Sequence, residues 1–162
     1  MTTLNDALAE LGRTRAELLA VVDGLDEAAL DRKGVIGTWS VKNVLAHIAA
    51  WEAWVVQALP VRMSTGTTPE DFRQRVEDED RFNSEEVAER EELTPDEQLM
   101  ELERTRAELL AYLGSLDAAA LGRKHPWDTW EATLPEYLLA ALPEHEAEHI
   151  KEFKNSKLKV QS

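Results

Sequence analysis

The chain has 162 residues, of which 43% are hydrophobic and 31% are charged, so it is long enough to form one domain with a substantial core. Its 18 Lys and Arg residues against 32 Asp and Glu residues give a net charge of −14. Such a charge repels phosphate backbones and argues against nucleic-acid binding. Because the sequence contains no cysteine, disulfides, thiolate nucleophiles and Cys-ligated zinc are excluded.

Membrane association is also not expected from the sequence. The longest uninterrupted apolar runs are far too short to cross a bilayer. The start of the chain, residues 1–6, lacks a basic segment followed by an apolar one. We therefore expect a cytoplasmic protein.

Two helices are predicted in the first third of the chain. The first covers about residues 3–23, because large apolar residues recur there at steps of three and four. These residues are Leu4, Leu8, Leu11, Leu18 and Val22. The second begins near Thr38 or Ser40, either of which can cap a helix, and ends near Leu59, ahead of Pro60.

The next segment, residues 60–93, is predicted to be an insert on the surface. Its first part, Arg62 to Pro69, is typical of a loop. The charged stretch from Glu70 to Glu92 favours one or two short helices. No alternating pattern of apolar and polar residues predicts a strand anywhere in the chain.

Two further helices are predicted after the insert, and each begins with a capping box. Thr94 starts the third helix, which ends at Gly114, and Thr133 starts the fourth, which continues to about Lys154. Pro143 is expected to bend or restart this last helix, because proline cannot donate a backbone hydrogen bond.

An internal duplication relates the two halves. Residues 13–20 recur, identical, as residues 104–111, and the match continues at the same offset to Thr38-Trp39 and Thr129-Trp130. Two related hairpins predict an all-α four-helix bundle with approximate twofold symmetry. The expected single domain, residues 1–162, consists of hairpin one (3–59), the insert (60–93), hairpin two (94–155) and a tail (156–162).

Three histidines are candidate metal ligands. His145 and His149 are four residues apart, on the apolar face of the fourth helix, and can therefore bind one ion together. The alternative is a pair of core histidines held by hydrogen bonds. His47 can join them only if its helix packs beside theirs, and three ligands with an open position are typical of a catalytic metal site. His125, which precedes Pro126 in a predicted loop, is expected to be exposed.

The segment from His145 to His149 also matches the H-E-x-x-H pattern of zinc proteases, in which the glutamate is the general base. A protease needs a sheet edge or cleft that holds a peptide. Since no strand is predicted, the context argues against this function.

Several other side chains are candidates for the site or the core. Arg15 and Arg106 are equivalent in the duplication and lie within leucine stripes, so each must be paired. They form a buried salt-bridge network, or one of them binds a carboxylate of a substrate or thiol cofactor.

Trp51 and Trp54 can line a substrate pocket beside His47, or pack in the core or at a dimer contact. The repeated Trp39 and Trp130 are predicted to lie in the core.

Three segments carry a resemblance to a known family: residues 37–52, Arg81-Phe82-Asn83, and residues 145–152. They resemble the DinB/YfiT-like superfamily of metal-dependent four-helix bundle proteins, and are most similar to its ClbS/DfsB-type members. The resemblance implies that His47, His145 and His149 bind a divalent transition metal, with zinc or nickel typical.

The resemblance also implies chemistry on an electrophilic small molecule, by hydrolysis or by transfer of a low-molecular-weight thiol. Glu152 and Glu146 are candidates to orient ligands or relay protons. Many relatives have arginine and glutamine at the positions of Ile150 and Glu152, which distinguishes this chain from them. The alternative function is a noncatalytic bundle, ClbS-like and without metal, that sequesters a small molecule or acts as an interaction module. Apolar bundle faces favour a homodimer.

Overall fold

The structure is a computed structural model that describes residues 2–127 and 130–156. Thr129, which belongs to the predicted repeat, and most of the predicted tail, residues 157–162, lie outside the described residues. The helices are α1 (Leu4–Val22), α2 (Glu27–Asp31), α3 (Val41–Thr65), α4 (Glu70–Val76), α5 (Glu79–Glu89), α6 (Pro95–Gly114), α7 (Ala118–Gly122), α8 (Leu134–Ala141) and α9 (Pro143–Lys154). Two short strands, β1 (His125–Trp127) and β2 (Trp130–Ala132), precede α8.

The four long helices of the prediction are present, and α3 is longer than expected. It begins after Ser40, whose side chain accepts a hydrogen bond from the Asn43 amide, and continues past Pro60 to Thr65. The predicted end at Leu59 was therefore wrong, and the loop predicted from Arg62 to Pro69 begins only at Gly66. Pro60 is exposed on the surface of the helix, while the adjacent Leu59 and the nearby Ala58 and Met63 are buried. We attribute the continuation to this packing, which outweighs the one backbone hydrogen bond that proline removes.

The predicted starts of the later helices are confirmed. Thr94 and Thr133 each accept a hydrogen bond from the backbone of the residue three positions ahead and complete a capping box. Pro143 restarts the last helix as expected, because α8 ends at Ala141 and α9 begins at Pro143. The insert contains the two short helices α4 and α5.

The antiparallel hairpin of β1 and β2 contradicts the prediction that the chain has no strands. Each strand has three residues, which is too short for an alternating pattern to be recognised in the sequence. The hairpin turns His125 and Trp127 inward, so His125 is 4% exposed and the prediction of an exposed loop histidine was wrong. Trp130 is 43% exposed, which corrects its prediction as a core residue. Trp39 is partly buried and packs against the core.

The bundle is formed by two main helix pairs. α3 packs along α6, and α1 packs along α8 and α9. A further contact joins α3 to α9, and α5 covers part of α3. The predicted all-α four-helix bundle is thereby confirmed.

One helix, α3, is long and apolar enough to cross a membrane by length and composition, with a mean hydropathy of 1.4. The sequence had not predicted such a helix, because its longest uninterrupted apolar runs are too short to cross a bilayer. Seventy-two per cent of that helix window is buried inside the protein. It is therefore packed as the core helix of a bundle.

A closed ring of four charges lies between the helices, and we call it the charge ring. It consists of Arg15 of α1, Glu52 of α3, Arg106 of α6 and Glu146 of α9. Arg15 lies 3.0 Å from Glu52 and 2.9 Å from Glu146. Arg106 lies 2.6 Å from Glu52 and 2.8 Å from Glu146. Both carboxylates are almost wholly buried, and the structure thus shows the salt-bridge network expected of the two arginines.

The surroundings of the charge ring keep Arg15 ionised. Burial alone would lower the pKa of Arg15, but the charges of Glu52 and Glu146 outweigh it and raise that pKa overall. Arg15 and Arg106 also each donate to a backbone carbonyl, those of Leu102 and Leu11. Opposite charges in equal number and filled hydrogen-bonding positions are the conditions under which buried ions are tolerated.

Breaking the charge ring is expected to destabilise the fold strongly. Arg15→Met removes one cation and leaves two buried carboxylates short of a partner, so the free energy of unfolding should fall by about 3 to 5 kcal/mol. Urea denaturation followed by circular dichroism measures this. The matched control is Arg13→Met on the same helix, because Arg13 pairs with Glu10 and Glu17 in solvent and should change stability far less. Equal effects of the two substitutions would contradict this view of the ring.

Candidate metal centre

Three imidazoles from two helices meet at one point beside the bundle core. His145 Nε2 lies 2.9 Å from Nε2 of His47 and 2.9 Å from Nε2 of His149. The candidate ligand atoms of the three rings all lie within 4.8 Å of one another. The structure therefore brings together the three histidines that the sequence singled out.

Each ring is placed by its helix. His47 is 6% exposed and lies in the second turn of α3, where its ring packs against Trp39 at a centroid distance of 5.3 Å. His145 is the third residue of α9, and His149 lies one turn further along. The condition set by the sequence, that the helix of His47 packs beside the helix of the other two, is met by the contact between α3 and α9.

The hydrogen-bonding capacity of the three rings does not match their arrangement. An imidazole nitrogen carries either one proton or one lone pair, so His145 Nε2 cannot satisfy both of its close neighbours. A divalent cation would accept a lone pair from all three nitrogens at once. An all-imidazole donor set suits zinc, nickel and other transition metals. The residues present therefore fit a metal ion.

Burial keeps these imidazoles neutral. It lowers the pKa of His47 to about 3, with a further contribution from repulsion by His145 and His149 and a small opposing effect of Asn83. Burial likewise lowers the pKa of His145 to about 4. The pKa of His149 is also lowered by burial, against the opposing charges of Glu148 and Glu146. Neutral rings have the free lone pairs that metal ligation requires.

Glu152 lies against the outer side of His149. Its Oε1 is 2.9 Å from Nδ1 of that ring, within ion-pair distance but not in the direction of a hydrogen bond. Burial, together with the charge of Glu148, raises the pKa of Glu152. A carboxylate behind a histidine ligand typically fixes the ring orientation, and Glu152 lies where a small rotation would make that contact.

An aromatic cavity of about 440 Å³ opens beside the three histidines. Its other lining residues are Trp51, Trp54, Val55, Glu79, Asn83, Tyr137, Ala141, Leu142 and Glu148. Trp51 Nε1 donates to Asn83 Oδ1 at 2.7 Å, and Trp54 Nε1 donates to the Phe72 carbonyl at 3.0 Å. Both indole rings are thereby held in place, and the volume is within the range of small-molecule sites.

The remaining candidate residues divide into two groups. Trp51 and Trp54 line the aromatic cavity as expected, whereas Glu146, Arg15 and Arg106 do not. Both oxygens of Glu146 accept hydrogen bonds from these arginines, on a different side of α9 from the histidines. This geometry does not favour a proton relay through Glu146 or a substrate contact by either arginine.

Four polar lining residues were not assigned to a site from the sequence: Glu79, Asn83, Tyr137 and Glu148. Asn83 belongs to the Arg81-Phe82-Asn83 segment that carries part of the family resemblance, so a signal for it was present. No pattern in the sequence distinguishes Glu79 or Glu148 from the many other acidic residues. They are recognised only because α5 and α9 bring them to the same cavity.

Comparison with known proteins agrees with this architecture. Residues 10–153 match the DinB superfamily. No protein of curated function is significantly similar to the chain in sequence.

Three solved structures share the fold. An uncharacterised protein from Escherichia coli UTI89 is 18% identical, with a TM-score of 0.77, over 96% of this chain and 92% of that one. YfiT from Bacillus subtilis, described as a probable metal-dependent hydrolase with an unusual four-helix bundle topology, is 20% identical, with a TM-score of 0.64, over 98% of this chain and 86% of that one. A mycothiol-dependent maleylpyruvate isomerase is 21% identical, with a TM-score of 0.66, over 94% of this chain but only 63% of that one.

At such identities the structural likeness establishes the fold and no activity. The sequence match is more informative, because it extends from the middle of α1 to the end of α9 and includes all three histidines. The chain belongs to the DinB superfamily.

Proposed function

We propose that this protein is a metal-dependent enzyme that hydrolyses an electrophilic small molecule. The observation that carries the proposal is the convergence of three neutral imidazoles at one end of an aromatic cavity. A structural site would have a complete set of protein ligands, whereas three ligands beside a cavity leave room for water or substrate. The resemblance of YfiT, described as a probable metal-dependent hydrolase, supports the same class.

His47, His145 and His149 would hold the ion, and zinc or nickel suits their nitrogen ligands. When bound, such an ion supplies Lewis acidity and lowers the pKa of a bound water toward about 7. Trp51 and Trp54 would hold the body of the substrate against their rings. Glu152 would orient His149 from behind.

Thiol transfer is the second candidate, and it uses the same cavity. The sequence has no cysteine, so the thiol must be a low-molecular-weight cofactor. The fold shared with a mycothiol-dependent isomerase supports this candidate, although that enzyme is considerably longer. We rank it second because no described lining residue carries a positive charge that would hold an anionic thiol.

We also propose that, within the superfamily, the protein is most closely related to the ClbS/DfsB-type members. Residues 37–52, 81–83 and 145–152 support this relation. It provides the noncatalytic alternative, in which the cavity sequesters a compound and the histidines are core residues. The unmatched hydrogen bonding of His145 argues against that alternative. The homodimer and the cytoplasmic location remain predictions from the sequence.

Metal binding gives the first test. We expect the purified protein to bind about one equivalent of Zn²⁺ or Ni²⁺ after treatment with chelator, as measured by isothermal titration calorimetry. His47→Gln and His145→Gln should each abolish tight binding, because two imidazoles remain. His125→Gln is the matched control, since His125 is also buried but lies in β1, outside the cluster. Loss of binding in the control but not in the cluster variants would contradict the assignment.

Turnover of styrene oxide gives the second test. The metal-loaded protein should hydrolyse this uncharged electrophile to the diol without added thiol, as measured by chromatography. Chelation or His47→Gln should abolish the reaction. If product forms only with glutathione, bacillithiol or mycothiol, the second candidate replaces the first. If neither reaction occurs in protein that binds metal, the proposed hydrolysis is contradicted.

The lowered pKa values predict how the metal-free protein responds to pH. In the unfolded chain the three histidines have a pKa near 6.5. In the folded protein, burial lowers the pKa of His47 to about 3 and the pKa of His145 to about 4. As the pH falls below about 6.5, the unfolded chain therefore binds protons that the folded protein does not, and stability decreases. Denaturation between about pH 7 and pH 5 should show this decrease, because few carboxylates titrate there. A variant with glutamine at positions 47, 145 and 149 should show a flatter profile, and an equal slope would contradict the prediction.

A further inference from the structure

The charged lining of the aromatic cavity has a single sign. Glu79 of α5 and Glu148 of α9 line it, and none of the described lining residues is a lysine or arginine. The three histidines, Asn83 and Tyr137 complete the polar lining. In the metal-free protein, the cavity therefore carries only negative charge.

The carboxylates of Glu79 and Glu148 remain available to a ligand. Among the described residues, neither carboxylate makes an ion pair or a hydrogen bond, whereas Glu85 and Glu86 of the same insert pair with arginines. Both residues are exposed to solvent and line the same cavity from separate helices, so their carboxylates provide an attractive position for a cation.

The tryptophans that line the cavity also favour a cation over an anion. Trp51 and Trp54 stand edge to face with ring centroids 6.0 Å apart. Their indole N–H groups are already donated to Asn83 and to the Phe72 carbonyl. The tryptophans therefore offer no free N–H group to an anion, while the faces of their rings attract cations.

Arg62, which contacts two of the lining residues, does not present its charge to the cavity. Arg62 lies behind the wall, is almost fully buried and is not among the lining residues. Its guanidinium stacks on Trp127 at 4.7 Å from the ring centroid and donates to the Tyr137 hydroxyl. It thus supports the wall and does not present a charge to the cavity.

We propose that the cavity selects substrates that carry a protonated amine on an apolar or aromatic body, and that it disfavours anionic molecules. This inference rests on the proposed function, because it concerns the same cavity. The body of the substrate lies against Trp51 and Trp54, and its ammonium group lies near Glu79 and Glu148. The oxygen of the electrophilic group, which a Lewis acid would polarise, then points toward the histidines, where a metal would lie. The same selection disfavours thiol co-substrates with free carboxylates.

The test uses three ligands of similar shape and different charge: phenethylamine, 2-phenylethanol and 3-phenylpropionate. Binding to the full-length, chelator-treated protein is measured by ligand-observed NMR and calorimetry at neutral pH and low ionic strength. Using metal-free protein prevents direct coordination of the carboxylate to a metal, which would mask the charge preference. We expect phenethylamine to bind at least about tenfold more tightly than 3-phenylpropionate, with 2-phenylethanol intermediate. Added salt should reduce the difference.

Charge-neutral variants identify the residues responsible. Glu79→Gln and Glu148→Gln should each weaken phenethylamine binding by about two- to fivefold and leave 2-phenylethanol unchanged. The matched control is Glu103→Gln, an exposed glutamate of α6 that does not line the cavity. Circular dichroism confirms that each variant is folded.

Three results would overturn the inference: equal affinities for the amine and the carboxylate, a preference that survives in the Glu79→Gln/Glu148→Gln double variant, or no saturable binding of any ligand. Because no metal and no turnover enter this experiment, its outcome is separate from that of the proposed function. If the protein binds amines but not metal, the result supports the proposed ligand preference and contradicts the proposed metal-dependent enzyme.

Discussion

The charge ring is the constraint on which the arrangement of the bundle depends. It takes one residue from each of four helices, so every pair of ions also fixes the rotation of two helices about their axes. Buried ion pairs of this kind contribute little net stability compared with apolar packing, but a helix that shifts in register leaves a buried charge alone. The ring therefore favours one packing of the four helices over its alternatives.

The candidate metal centre is placed by the same two helices that supply the carboxylates of the ring. α3 carries His47 five residues before Glu52, and α9 carries Glu146 between His145 and His149. Once both carboxylates accept their arginines, the remaining faces of these helices have little freedom to turn. We infer that the charge ring holds the three imidazoles together even though His145 Nε2 cannot satisfy hydrogen bonds to both of its neighbours.

The site itself departs from the rules that stabilise the core. One buried and two partly buried neutral imidazoles occupy positions where apolar residues would stabilise the fold more. Such departures are expected where binding or catalysis, and not packing, determines the residue. The charge ring a few residues away shows that this chain can pair its buried charges completely. The contrast between the two clusters is the physical argument that the histidine cluster serves a ligand.

Local patterns in the sequence predicted the starts of the main helices and their caps, because periodicity and capping are local, and the duplication is visible in register. The pairing of α3 with α6, and of α1 with α8 and α9, is a property of the tertiary structure. The sequence also indicated the ligand function of His145 and His149, which share one helix face at a spacing of four. The tertiary structure was needed to show three things: His47 lies beside His145 and His149, Glu146 belongs to the charge ring, and Glu79 and Glu148 line one cavity. Each of these depends on the rotation and register of separate helices, which long-range packing fixes. The local sequence also does not predict that α3 continues through Pro60, because the burial of neighbouring residues such as Leu59 and Met63 depends on tertiary packing.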